Sequence, residues 1–175
     1  MIYPVLAAIR FDDEDIDGFL EQTVETLVKQ GRMVRGALQS RGEAGDQCHC
    51  ADMDLHVIGS DRVFRISQSL GNGSRGCRLH PGALAECAAL LESELNGGVE
   101  LLVLNRFGRG ESEGRGFRDL IGAAMSKGIP VLTALRPTYY EAWASFGGEL
   151  ACDLPMAKDA VLEWFDHTRK ICNAA

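Results

Sequence analysis

Two glycine-spaced, arginine-bearing stretches carry the residues best suited to chemistry. The first, Asn105-Arg106-Phe107-Gly108-Arg109-Gly110-Glu111-Ser112-Glu113-Gly114-Arg115-Gly116, directly follows an apolar run over residues 99–104. Guanidinium groups bind oxyanions through planar, charge-assisted hydrogen bonds, and glycines let backbone N–H groups approach the same ligand. The second, residues 66–81, supplies Ser67, Gln68, Arg75, Gly76 and Arg78. Ser67, Gln68, Arg75, Gly76, Arg78, Asn105, Arg106, Gly108 and Arg109 are therefore candidate contacts to a small oxyanion, the arginines supplying charge and the others directional hydrogen bonds. The competing reading pairs these arginines with Glu111, Glu113 and Asp119 on a solvated surface, where such pairs contribute little.

Other constellations carry less. Gly71, Gly73 and Gly76 spell G-x-G-x-x-G, but a dinucleotide fingerprint needs its helix to start inside the motif, and here the helix waits until Pro81. Cys77 lies between Arg75 and Arg78, where a thiol of lowered pKa would be reactive, although a small buried apolar residue is the simpler reading. Cys48-His49-Cys50, with His56 downstream, lacks the two ligand pairs of a structural zinc site, so no metal is expected. No Ser-His-Asp ordering or nucleophile elbow appears.

The elements that must position these residues follow from periodicity. Residues 2–11 read as a strand, and Asp12 to Asp15 give an acidic start to a helix whose apolar positions Ile16, Phe19, Leu20, Val24, Leu27 and Val28 recur at helical spacing until Gly31. A second strand is expected over 33–38, making a β-α-β opening with a right-handed crossover. Residues 41–52 read as a loop, and 53–58 with 62–68 as an inserted antiparallel hairpin. A helix over 81–95, a buried central strand over 99–104, a helix around 117–125, a strand over 129–135, a short helix over 138–146 and a last helix over 156–172 complete the pattern. The fold class is α/β, three-layered, with a mainly parallel sheet flanked by helices and a small antiparallel hairpin insertion. One domain over 1–175 accounts for the length. Ligands of such sheets sit beyond the carboxyl ends of the strands, which brings 10–12, 105–111 and Arg136 together.

Composition narrows the partners. A formal charge of −7 argues against nucleic-acid binding, which needs a basic face. No apolar run reaches membrane-spanning length, and acids follow the first apolar residues where a signal peptide would continue, so a cytoplasmic location with the six cysteines as thiols is expected.

Four motifs taken together resemble a known family: Ile66-Ser67-Gln68-x-Leu70-Gly71, Arg75-Gly76-Cys77-Arg78-Leu79-x-Pro81-x-Ala83-Leu84-Ala85, the Asn105 to Arg118 stretch, and Gly128-Ile129-Pro130-Val131-Leu132-Thr133. They resemble the bacterial domain of unknown function 2478, over nearly the whole chain. The resemblance implies a scaffold similar to P-loop nucleoside triphosphatases and genes beside molybdate-transport genes, hence molybdate or tungstate as the oxyanion and molybdate-transport or molybdenum-cofactor proteins as partners. Against the P-loop pattern G-x-x-x-x-G-K-[ST], this chain carries Arg10-Phe11-Asp12-Asp13-Glu14-Asp15-Ile16-Asp17-Gly18, without the lysine and with acids where phosphates would sit. Asn105 and Arg106 stand where the related phosphatases carry Asp and Glu. A Walker A loop without function, and a domain that binds rather than hydrolyses, is the expectation. One alternative is a divergent nucleoside-triphosphate phosphatase with Glu111 as general base and Mg as cofactor. Another is a regulatory partner docking through acidic faces. A second copy of the chain, as a homo-oligomer, is a further partner compatible with the sequence.

Overall fold

The computed structural model describes residues 4–41, 53–68 and 78–174, without the side chains of Arg41, Gln68, Arg78 and Leu79. Strand β1 (Leu6–Arg10) leads into helix α1 (Ile16–Lys29), then β2 (Val34–Arg41), β3 (Met53–Val57), β4 (Val63–Arg65), β5 (Ser67–Gln68) and β6 (Arg78–Leu79). Helix α2 (Pro81–Glu94), β7 (Leu101–Leu104), a single turn α3 (Arg109–Ser112), α4 (Arg118–Ser126), β8 (Val131–Leu135), α5 (Tyr140–Gly147), β9 (Ala151–Leu154) and α6 (Lys158–Ala174) follow. The main sheet runs β4-β3-β2-β7-β8-β1-β9. Its pairings from β2 to β9 are parallel, and β3 and β4 extend it antiparallel at one edge.

The parallel strands are apolar on both faces because both are covered, and alternate residues divide between two cores. Ala7 and Ile9 of β1, Leu101 and Val103 of β7, and Leu132 and Ala134 of β8 pack against α1 and α6. Leu6 and Ala8, Leu102 and Leu104, and Val131 and Leu135 pack against α2, α4 and α5. This is the expected three-layer α/β arrangement with its antiparallel insertion. Among the described residues no helix is long and apolar enough to cross a membrane.

Four differences from the sequence expectation follow from the pairings and contacts of the segments concerned. The run over 62–68 divides: β4 joins the main sheet, while β5 pairs with β6 in a separate two-stranded sheet. The division falls at Ile66, which is buried and whose N–H donates to the Met53 carbonyl at 2.9 Å. Strand β9 lacks any alternation of its own, and its residues are extended because Ala151 to Leu154 pair with Leu6 to Ile9. Residues 109–112 form the turn α3 where a loop was expected. The loop expected over 41–52 begins instead as strand at Arg41, and 42–52 lie outside the described residues.

At the opposite end of the sheet from the strand termini, Glu100 accepts from the Met33 N–H at 2.8 Å and pairs with Arg169 at 3.1 Å and Arg32 at 3.8 Å. The Met33 N–H foremost, then the Arg169 guanidinium, hold its carboxyl below the ordinary glutamate value. Close packing of β2 on β7 depends on Gly36, whose φ is +140° and where a Cβ would fall on the Val103 carbonyl oxygen. Gly36→Ala is expected to destabilise the protein by more than about 3 kcal/mol, read as a lower urea midpoint; an unchanged midpoint would contradict the packing described.

Candidate functional site

Parallel strands deliver their loops to one end, and here the carboxyl ends of β1, β2, β7 and β8 open onto a cleft of about 620 Å³. Phe11 continues β1, Gln39 and Ser40 come from β2, Arg106 follows β7, Arg136 follows β8, and Asp13 to Gly18 with Glu21 come from the start of α1. The Arg106 and Arg136 guanidinium carbons stand 4.9 and 5.1 Å from the centroid of the same Phe11 ring. Phe11 is buried and so gives both cations a fixed, desolvated platform.

Arg106 also reaches α1. Its terminal nitrogen lies 3.1 Å from each carboxylate oxygen of Asp17, the two side chains being about a quarter and a fifth exposed. Arg136 is exposed and makes no ion pair among the described residues. Asn105, 6% exposed, donates from Nδ2 to the Oε1 of the cleft-lining Gln39 at 2.9 Å and so ties β7 to β2.

The start of α1 is filled by its own acids. Asp15 caps the helix by accepting from the Gly18 N–H at 3.1 Å, and Glu14 accepts from the Asp12 N–H at 2.6 Å. That backbone bond is the leading reason the Glu14 carboxyl lies below the ordinary value. The Gly18 N–H that could meet a phosphate is thus already bonded, and the carboxylates around it oppose the positive end of the helix dipole.

The remaining sequence candidates fall elsewhere. Phe107 inserts into the opposite core, edge-on to Trp143 at 5.3 Å, so the chain crosses the sheet between Arg106 and Arg109. Arg109 is 80% exposed and pairs with Glu113 at 2.9 Å, and Arg115 pairs with the same carboxylate. The Arg109 bond foremost holds the Glu113 carboxyl below its ordinary value. The Gly108 N–H donates to Glu111 Oε2 at 3.0 Å and the Phe117 N–H to Oε1 at 2.9 Å. Glu111 is 7% exposed, and at Gly116, with φ +64°, a Cβ would collide with its carboxylate. Both of its oxygens therefore serve to close the loop that follows β7.

Ser67 accepts from the Met53 N–H at 3.1 Å, and Met53 pairs with Arg41 at the carboxyl end of β2. Ser67 thus lies by the carboxyl end of β2, and Gln68 stands opposite Arg78 in the β5–β6 register. Arg75, Gly76, Cys77 and the Cys48-His49-Cys50 loop lie outside the described residues. Among the described residues no cluster of His, Cys, Asp and Glu is arranged to hold a metal ion. Cys87, Cys152 and Cys172 are free thiols, and burial pushes Cys87 and Cys152 up to about 11. Phe11, Asp17, Gln39 and Ser40 were not singled out as ligand contacts by sequence reasoning. Their positions at strand ends and on the first turn of α1 were the available signal.

Comparison with known proteins supplies a context. The family model described as "Protein of unknown function (DUF2478)" matches residues 5–164. The "Molybdenum import ATP-binding protein ModC 2" of Bradyrhizobium diazoefficiens is 31% identical over 164 residues, covering 94% of this chain. The chain spans 18% of that relative's length. The structure titled "Solution Structure of a Human Cancer-Related Nucleoside Triphosphatase" aligns with a TM-score of 0.62, covering 99% of this chain and 97% of its own, at 12% identity. That likeness is one of fold.

Glu111→Ala removes the acceptor of two backbone N–H groups and is expected to destabilise the protein by about 2 kcal/mol or more, with Glu111→Gln between it and wild type. Thermal unfolding of the three proteins checks this, and equal midpoints would show that the carboxylate does not hold the loop.

Proposed function

The chain belongs to the family described as "Protein of unknown function (DUF2478)", and from that premise we propose that it is a small-oxyanion-binding domain of molybdenum handling, with molybdate or tungstate as its ligand. The observation that carries this reading is the meeting of Arg106 and Arg136 on one Phe11 ring at the carboxyl end of the sheet. Relationship to a molybdenum import protein supports the choice of ion.

Magnitudes decide between a compact ion and a nucleotide. A charge-assisted hydrogen bond from each arginine contributes about 1.5–3 kcal/mol. An exposed carboxylate about 8 Å away costs a dianion about 1 kcal/mol in water, and physiological salt screens much of that. A compact dianion that takes the place of the Asp17 carboxylate on Arg106 and also engages Arg136 keeps a net gain. A triphosphate extended along the start of α1 meets Asp13, Glu14 and Asp15 at close range and finds the Gly18 N–H already bonded. The loop there has lost the function of a Walker A motif, and with Glu111 held by two amides the phosphatase alternative has neither phosphate cradle nor a disengaged base.

A second reading adds to the first. Because the matched region is 18% of a larger import protein, a regulatory domain docking on transport or cofactor-assembly proteins fits the same family context. Oxyanion occupancy would then be the signal that such a partner reads.

Calorimetric titration with molybdate, tungstate, sulfate, phosphate and ATP tests the ligand class. Molybdate or tungstate is expected to bind, and Arg136→Ala to weaken that binding about 10- to 100-fold, the loss of one charge-assisted contact. Binding of ATP alone, or phosphate release with ATP and Mg, would overturn the reading in favour of the phosphatase.

A further inference from the structure

The ion pair inside the cleft bears on how any anion enters. A carboxylate is itself an oxyanion, and the Asp17 carboxylate places both oxygens 3.1 Å from the Arg106 terminal nitrogen, beside the ring shared with Arg136. Asp17 is in the first turn of α1, and its contact spans 89 residues of chain to the end of β7. We propose that Asp17 is an internal competitor that occupies the oxyanion position on Arg106, so that ligand binding is an exchange in which a tetrahedral oxyanion replaces the Asp17 carboxylate. This rests on the oxyanion reading of the same cleft and adds the residue that sets its affinity and selectivity.

Three consequences follow from charge and geometry. First, the ligand must be a better partner than a carboxylate for Arg106 while also engaging Arg136, which a dianion with oxygens on several sides does and a monoanion does poorly. Tetrahedral dianions are therefore selected over formate, acetate or nitrate. Second, apparent affinity is the intrinsic affinity reduced by the cost of displacing Asp17, so the site stays empty at low ligand concentration. Third, release of Asp17 detaches the first turn of α1 from β7. That converts occupancy of the cleft into a change at the surface formed by Asp12 to Asp15, which is exposed.

The competitor is separable from the general negative field of the cleft. Glu21 follows Asp17 by one helical turn on the same face, lines the same cleft and carries the same charge. Asp17→Asn removes the competing charge at nearly constant shape, Asp17→Glu keeps it, and Glu21→Gln removes an equal charge one helical turn further along the same face.

Titration of each protein with molybdate and with tungstate, followed calorimetrically, reads the exchange. Asp17→Asn is expected to bind about tenfold more tightly than wild type, with Asp17→Glu and Glu21→Gln within about twofold of it. A purely structural role for Asp17 would leave affinity unchanged or lower it, and either result overturns the exchange. An equal gain in Glu21→Gln also overturns it, because the effect would then be the field of the cleft. Binding by Asp17→Asn where wild type shows none supports it. If no oxyanion binds wild type or Asp17→Asn, the oxyanion reading fails and takes the exchange with it. If the ions bind and Arg136→Ala weakens them while Asp17→Asn binds as wild type does, the exchange alone fails.

Discussion

The positive end of α1 is neutralised from within, and the character of the cleft depends on that. Helix N-termini beyond parallel strands are sites where anions bind readily, since several N–H groups and the helix dipole point at the same place. In this chain Asp15 accepts the Gly18 N–H, Glu14 accepts the Asp12 N–H, and Asp17 reaches across to Arg106. The residues that follow β1 thus turn a phosphate-attracting position into an electronegative wall. Positive charge is displaced to the neighbouring strand ends, on Arg106 after β7 and Arg136 after β8.

The scaffold makes that displacement rigid. Apolar strands covered on both faces fix where β1, β7 and β8 end, and the Asn105 to Gln39 hydrogen bond joins β7 to β2 at the same level. Beyond Arg106 the chain is anchored by Phe107 in the opposite core and by Glu111, which gathers the Gly108 and Phe117 amides. The glycine-spaced segment that follows β7 is therefore closed around a buried carboxylate.

Sequence reasoning reached the architecture because the governing signals are local. Helical spacing from Ile16 to Val28, continuous apolarity over 99–104 and 129–135, and glycine or proline at the element ends each mark an element independently of the others. What escaped it was set by distant partners: β9 is a strand through its pairing with β1, and β5 separates from β4 to pair with β6. Sequence reasoning reached the strand ends, expecting 10–12, 105–111 and Arg136 to meet; Phe11, Arg106 and Arg136 line the cleft, whereas Arg10 turns to Asp153 and Tyr140. Sequence could not assign partners to the arginines. Arg106 and Arg109 are three residues apart, yet one faces Asp17 and the other Glu113, because Phe107 between them turns the chain across the sheet.

In the proposed function the start of α1 belongs to the chain's own carboxylates while the neighbouring arginines receive a compact anion. Backbone amide chemical shifts of the isotopically labelled protein, followed during separate titrations with tungstate and with Mg-ATP, test it directly. Saturable tungstate shifts are expected at Phe11, Arg106 and Arg136, with Asp15 to Gly18 unmoved by Mg-ATP. Saturable Mg-ATP shifts centred on Asp15 to Gly18, with Arg106 and Arg136 silent to tungstate, would contradict it.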